Sequence, residues 1–146
     1  MKKYVLLAIM LLFLAIAASA QSDLEIRHAF DKYGKLKGSV FVELKGEVLK
    51  GYDFHLFRSL TISNNAEAAD FIRKCLAKDE VGARKVKQVV ANGKPTAIYL
   101  QLPQQNNMHR LVLFNETTQP NNQITLIYIE SKIDSEDVLK LILKKK

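Results

Sequence analysis

The run Leu111-Val112-Leu113-Phe114, the polar break Asn115 to Asn122 (NETTQPNN) and the run Ile124-Thr125-Leu126-Ile127-Tyr128-Ile129 decide the fold of this chain. Both runs are rich in β-branched, aromatic and aliphatic residues. Such residues suit a pleated, buried surface. The connection between them is rich in Asn and Pro, which favour turns over strand continuation. Two apolar runs around such a break predict paired antiparallel strands at the centre of a sheet.

Reading backwards from this pair, Arg84 to Ala91 alternates through Lys85, Val86 and Lys87 and ends in Val89-Val90-Ala91. Asn92-Gly93 follows, two residues that tolerate positive φ and close tight hairpins. Thr96 to Leu102 (TAIYLQL) returns as the partner strand, and Pro103 to Asn107 (PQQNN) predicts the next turn. Reading forwards, Ile133 and Val138 have the spacing of a hydrophobic staple around the cap residue Asp134. Ser135, Glu136 and Asp137 place negative charge where a helix dipole favours it. Val138, Leu141 and Ile142 are the expected buried face of this last helix.

The first half supplies two more helices and two more strands. Ser22 and Glu25 have capping-box spacing, and Ile26, Ala29, Phe30 and Tyr33 follow as one helical stripe. The expected helix covers 23–34, with Gly34 or Gly38 as its left-handed stop. Ser39 to Leu44 (SVFVEL) reads as a strand, and 45–52 as a loop with one helical turn. Phe54, Leu56 and Phe57 form an apolar cluster before a short strand at Arg58 to Ser63. Asn64 and Glu67 repeat the cap pattern, and Ala68, Phe71, Ile72, Cys75 and Leu76 make the stripe of a helix over 65–79. The sum is an α+β fold: an antiparallel meander sheet of about five to six strands with helices packed on one face.

The N-terminus carries a different signal. Lys2 and Lys3 precede an uncharged run, Val5 to Ala18, and Ala18-Ser19-Ala20 gives the small-x-small pattern of a signal peptidase site. The expected domain organisation is therefore a signal peptide over 1–20, cut between Ala20 and Gln21, and a single α+β domain over 21–146. The run is shorter than the roughly 20 residues of a membrane span, so no transmembrane anchor is expected after cleavage. The leader takes two lysines from a formal charge of +7, leaving +5, of which Lys144-Lys145-Lys146 supplies three. A body of +2 is weakly basic, and with secretion it argues against nucleic acid as partner. Cys75 is the one cysteine, so no intramolecular disulfide staples the fold.

Motifs of chemistry are sparse. His28, His55 and His109 stand alone in sequence, and no H-E-x-x-H, C-x-x-C or calcium-loop pattern occurs, so no metal or cofactor is expected. His28 reads as a helix-surface residue, His55 as a half-buried packing residue, and His109 as an exposed strand end. Cys75 sits on an apolar stripe and reads as core. No G-x-S-x-G, Walker loop or dinucleotide fingerprint is present. Glu43, Glu47 and Asp53 are close in sequence and read as surface ion-pair partners. Arg84, Lys85 and Lys87 read as a solvated face guarding a sheet edge. Asn115-Glu116-Thr117 fits a glycosylation sequon in a loop. Catalytic residues are accordingly assigned to none of these positions.

Phe30-Asp31-Lys32-Tyr33 before a strand, and Ile124–Ile129 leading into Ile133-Asp134-Ser135-Glu136-Asp137-Val138, resemble small exported domains of unknown function in Bacteroidetes, periplasmic proteins or lipoproteins. The resemblance implies no activity, cofactor or site residue. The lipoprotein relatives carry a cysteine after the leader and this chain does not. The functional expectation is an exported, non-enzymatic binding or interaction domain of the bacterial envelope, in the periplasm or outside the cell, with another envelope protein or a small ligand as partner. One alternative is a hydrolase with a site assembled from distant residues, Glu43, Asp53 and His55. Another is an anionic-surface binder using the Lys144–Lys146 tail.

Overall fold

The computed structural model describes residues 24–46 and 54–144, with side chains to residue 142. The leader, the Ala20–Gln21 junction, Ser22, Glu47, most of the 45–52 loop, Asp53 and the side chains of Lys144–Lys146 lie outside these residues. Six strands form one antiparallel sheet: β1 (Ser39–Lys45), β2 (Phe54–Ser63), β3 (Lys85–Ala91), β4 (Lys94–Gln105), β5 (Met108–Thr117) and β6 (Gln123–Ser131). Their order is β1-β2-β6-β5-β4-β3. The helices are α1 (Ile26–Tyr33), α2 (Ala66–Asp79) and α3 (Ser135–Lys144), with a 3-10 turn at Glu80–Gly82. The fold is α+β, and the two apolar runs are β5 and β6 at the centre of the sheet, with Leu111 opposite Ile129 and Phe114 opposite Leu126.

The chain makes two antiparallel blocks, β1-β2 and β3 to β6. They join where β2 pairs with β6 from Phe54–Ser131 to Ser63–Gln123. Between β2 and β3 the chain must cross β6, β5 and β4, and α2 makes that crossing.

Several local expectations are corrected. Phe54, Leu56 and Phe57 belong to β2 itself, which bulges between Phe54 and Leu56. The bulge leaves His55 as the extra residue, exposed rather than half-buried. It also turns Phe54 to the same side as Phe57, so both join one apolar cluster while Leu56 joins the other. The NETTQPNN break is shorter than its composition implies, because β5 runs on through Asn115-Glu116-Thr117. Glu116 is fixed there by the Arg73 guanidinium of α2 and by the Asn122 side-chain amide, 3.1 Å away. The sequon therefore lies in a strand. The turn after β4 contracts to Asn106-Asn107, both in the left-handed region.

The helix caps differ from expectation as well. Asn65, not Asn64, caps α2, its Oδ1 accepting from the Ala68 N–H at 3.0 Å. Asn64 takes a left-handed φ of 54° and donates its N–H to the Asn122 carbonyl. At the end of α1, Gly38 is the left-handed glycine, whereas Gly34 stays right-handed. A Cβ on Gly34 would run into the Phe30 carbonyl oxygen, which explains glycine there. In α3 the side chains that reach the sheet are Val138, Leu139 and Ile142, and Leu141 is exposed. Residues i, i+1 and i+4 face one way on a helix.

The helices share the two faces of the sheet unequally. α1 and α2 cover the first face, packing Ile26, Phe30, Ile72 and Leu76 against Leu60, Leu100, Val112 and Leu126. α3 lies on the second face with Val138 against Tyr99, Leu111 and Ile129. The grouping of helices on one face thus holds for α1 and α2, and the short C-terminal helix covers part of the other.

The first N–H groups of α1 have no side-chain cap of their own. Asp79, at the end of α2 and buried, accepts both: Glu25 N–H to Oδ1 at 2.7 Å and Ile26 N–H to Oδ2 at 3.0 Å. One carboxylate thereby caps a helix 53 residues away in the chain and complements its dipole. Asp79→Ala is expected to lower the unfolding free energy by about 2 kcal/mol. Asp79→Asn, which keeps one acceptor, should lose less. Urea denaturation with an unchanged m-value checks both.

Candidate functional site

Among the described residues side chains of different elements converge on several cavities, including open ones between α1 and α2 and beside Asp79, and two more combine a sheet floor with charged side chains. The first is a cleft at the start of α1, of about 200 Å³, lined by Arg27, Leu56, Arg58, Arg110, Tyr128 and Glu130. Two of its guanidinium groups are engaged within the fold. Arg58 donates through Nε to Glu43 at 3.0 Å, and buried Arg110 donates to the Pro103 carbonyl at 3.1 Å. Burial above all, then the Glu130 carboxylate, pushes the Tyr128 phenol up to about 12, against the opposing pull of Arg110. A phenol so placed is a poor base. The cleft joins β2, β4, β5 and β6 to α1 and reads as structural.

The second lies on the face that α3 covers in part. The strand registers line up the row Val42, Ser59, Ile127, Leu113, Tyr99 and Lys87 across the sheet, and next to it Val40, Thr61, Thr125, Asn115, Ala97 and Val89. A ten-residue helix is about 15 Å long and roughly 10 Å across, whereas six strands at about 4.8 Å spacing are about 24 Å wide. α3 alone cannot cover that area. What remains is a groove of about 400 Å³ with Tyr99, Leu113 and Ile127 on its floor, Ile142 of α3 at its side, and Lys87 and Val89 at the β3 end. The groove is mostly apolar and within the size range of small-molecule sites. At its β3 end the Lys87 ammonium sits 5.7 Å from the Tyr99 ring centroid.

Electrostatics concentrate beside this groove. Lys85 donates to Glu136 of α3 at 2.8 Å, and Lys87 lies 3.8 Å from the same carboxylate. The hydrogen bond from Lys85 is the main cause that holds the Glu136 carboxyl below the usual range, and in return it raises Lys85. The Tyr99 hydroxyl is buried without a hydrogen-bond partner. Burial first, then Glu136 and Asp134, push it up to about 12.

The sequence-derived candidates fall apart in space. Desolvation pushes the Glu43 carboxyl up, but hydrogen bonds and charge from Lys45 and Arg58 outweigh it and hold it below its ordinary value. Glu43 is thus an ion-paired residue of β1, and His55 projects from a bulge of β2. His28 is on the exposed side of α1, 3.7 Å from Glu25. His109 is half-buried, with Gln104 at 3.3 Å. Cys75 is buried in the first-face core, and burial followed by Asp79 and Glu25 pushes its thiol up, away from a nucleophile's range. Among the described residues no group of three His, Cys, Asp or Glu side chains could hold a metal ion. Lys85 and Lys87 lie on the edge strand β3 as the alternation implies, tied to Glu136. Sequence reasoning missed the groove itself. Its signal was present in β6, where Ile127 and Ile129 are apolar on one face while Ile124, Leu126 and Tyr128 are apolar on the other.

Two phenols raised from 10 to about 12 carry a pH consequence. An acid whose pKa is raised by folding contributes stability that is complete below its unfolded value and is lost as pH rises through its folded value. The protein should therefore be progressively destabilised between pH 10 and 12. Absorbance titration of the folded protein should show two tyrosines ionising late, and one in Tyr99→Phe.

The chain matches the model of a family described as "Family of unknown function (DUF6108)" over residues 13–142. No curated protein and no solved structure matches it. Among the described residues no helix is long and apolar enough to cross a membrane. With nearly all of its length within that match, the chain belongs to this family of unknown function.

Proposed function

We propose that the protein is an exported, non-enzymatic binding domain of a bacterial cell envelope, working in the periplasm or outside a Bacteroidetes cell, and that it binds its partner in the groove on the second sheet face. The observation that carries this reading is the groove: about 400 Å³ over Tyr99, Leu113 and Ile127, open beside α3. Its floor belongs to three neighbouring central strands, each hydrogen-bonded on both sides, so it is rigid before anything binds. Preorganised apolar surface lowers the cost of binding. The groove carries no nucleophile and base within reach of each other, which favours binding over turnover. Export is supported by the basic start, the uncharged run and Ala18-Ser19-Ala20.

Two measurements test the two halves. Mass determination of the protein recovered from the osmotic-shock fraction of its host should give a chain beginning at Gln21. A cytoplasmic chain that retains its first twenty residues would refute export. For the groove, Thr125→Glu places an anion on the open half of the second face, where it repels the sulfonate of an anionic dye. The variant should keep the wild-type circular dichroism and melting temperature yet lose most of the fluorescence enhancement of anilinonaphthalene sulfonate. Equal enhancement in both proteins would place binding elsewhere.

A further inference from the structure

We propose that the groove is a site for one unesterified fatty acid, with its carboxylate on Lys87 and its chain laid across the strands over Tyr99, Leu113 and Ile127. This rests on the groove being the binding site. The geometry is linear: Ile127, Leu113, Tyr99 and Lys87 are successive cross-strand neighbours on β6, β5, β4 and β3. Three strand spacings make about 14 Å, the reach of an extended chain of about a dozen carbons at a C–C length of about 1.5 Å. Three apolar side chains in line end on one cation.

The charges fit a single monoanion. Among the described residues Lys87 is the one cation lining the groove, and no carboxylate lines it. Lys85 already satisfies Glu136 at 2.8 Å, while Lys87 stands 3.8 Å from it, beyond hydrogen-bond distance. Its ammonium is half-exposed and held to Glu136 only by this longer contact, which an incoming carboxylate can replace. A volume of about 400 Å³ is near the lower end for ligand sites and suits one chain, not the two of a phospholipid. A doubly charged phosphate head would ask for more than one lysine.

The test is calorimetric titration of the purified protein with sodium dodecanoate below its micellar concentration. One-to-one binding is expected, with affinity falling about fourfold for each methylene removed down to octanoate. Dodecanol, of equal length and no charge, should bind at least tenfold more weakly. Lys87→Gln should bring dodecanoate down to the level of the alcohol, and Glu136→Gln should tighten it severalfold by removing the competing carboxylate. Thr125→Glu should weaken it. Equal binding of alcohol and acid by the wild type overturns the carboxylate–Lys87 assignment, a comparison that stands even if a variant fails to fold. Absence of binding by dodecanoate and dodecanol alike overturns the ligand class. In that case dye binding that Thr125→Glu abolishes still upholds the groove, and dye binding it leaves unchanged removes both readings.

Discussion

The ladder between β2 and β6 is the constraint on which the remaining architecture depends. It pairs residues near position 60 with residues near position 127, and no turn brings them together. Without it the chain is a two-stranded hairpin and a separate four-stranded meander, and a lone hairpin is marginal in water. Once it forms, β6 becomes an interior strand, and α2 must pass over β6, β5 and β4 to reach β3. That passage lays the apolar stripe of α2 across the first face. Arg73 then ties the helix to the sheet from above, donating to the Pro95 carbonyl at 2.9 Å and to Glu116 of β5. The end of the same helix delivers Asp79 to the bare N-terminus of α1. One long-range pairing thus sets α2, and α2 sets α1.

Among the described residues the first face is closed by two helices and the second by one. This follows from area: each helix covers a stripe about 10 Å wide, and a six-stranded sheet is wider than two of them. On the first face the remainder is filled by large side chains such as Phe30, Phe114 and Tyr128. On the second, the row nearest α3 is Phe57, Ile129 and Leu111, while on the interior strands the far row shrinks to Thr61, Thr125, Asn115 and Ala97, with Val40 and Val89 at its two edges. Small and hydroxyl-bearing residues tolerate water better than isoleucine does. The sequence is therefore graded along the strands, apolar under the helix and polar at the open end, with Tyr99, Leu113 and Ile127 at the boundary.

Much of the fold was legible because its signals are local. Asn92-Gly93 marks its hairpin through backbone conformation alone, and the stripe of α2 through spacing alone. What was not legible depends on partners distant in sequence. Nothing near Asp79 says that its carboxylate caps a helix some fifty residues earlier. Asn64 and Asn65 are equally good caps by type, and only the Asn64–Asn122 hydrogen bond assigns the turn to one and the cap to the other. The bulge at His55 is set by the pairing of β2 with β6, so Phe54, Leu56 and Phe57 read as one cluster although they divide between two faces. The two apolar faces of β6, Ile127 and Ile129 against Ile124, Leu126 and Tyr128, are the local sign of a sheet covered on both sides, at odds with the expectation of helices on one face.

The groove's chemistry follows from how edge strands are kept soluble. β3 is an edge, and lysines at Lys85 and Lys87 oppose association with another sheet. Alternation then puts both on the α3 face. α3 begins with acidic residues for its own dipole, and Glu136 meets both lysines. A single carboxylate cannot hydrogen-bond both ammonium groups equally well in this geometry, and the nearer one takes it. Lys87 is left at the end of an apolar row with its charge only loosely compensated. A residue placed to guard an edge and a helix acid placed to suit a dipole together leave one cation facing one strip of hydrocarbon-compatible surface. That pairing of charge and chain is what an amphiphilic monoanion requires.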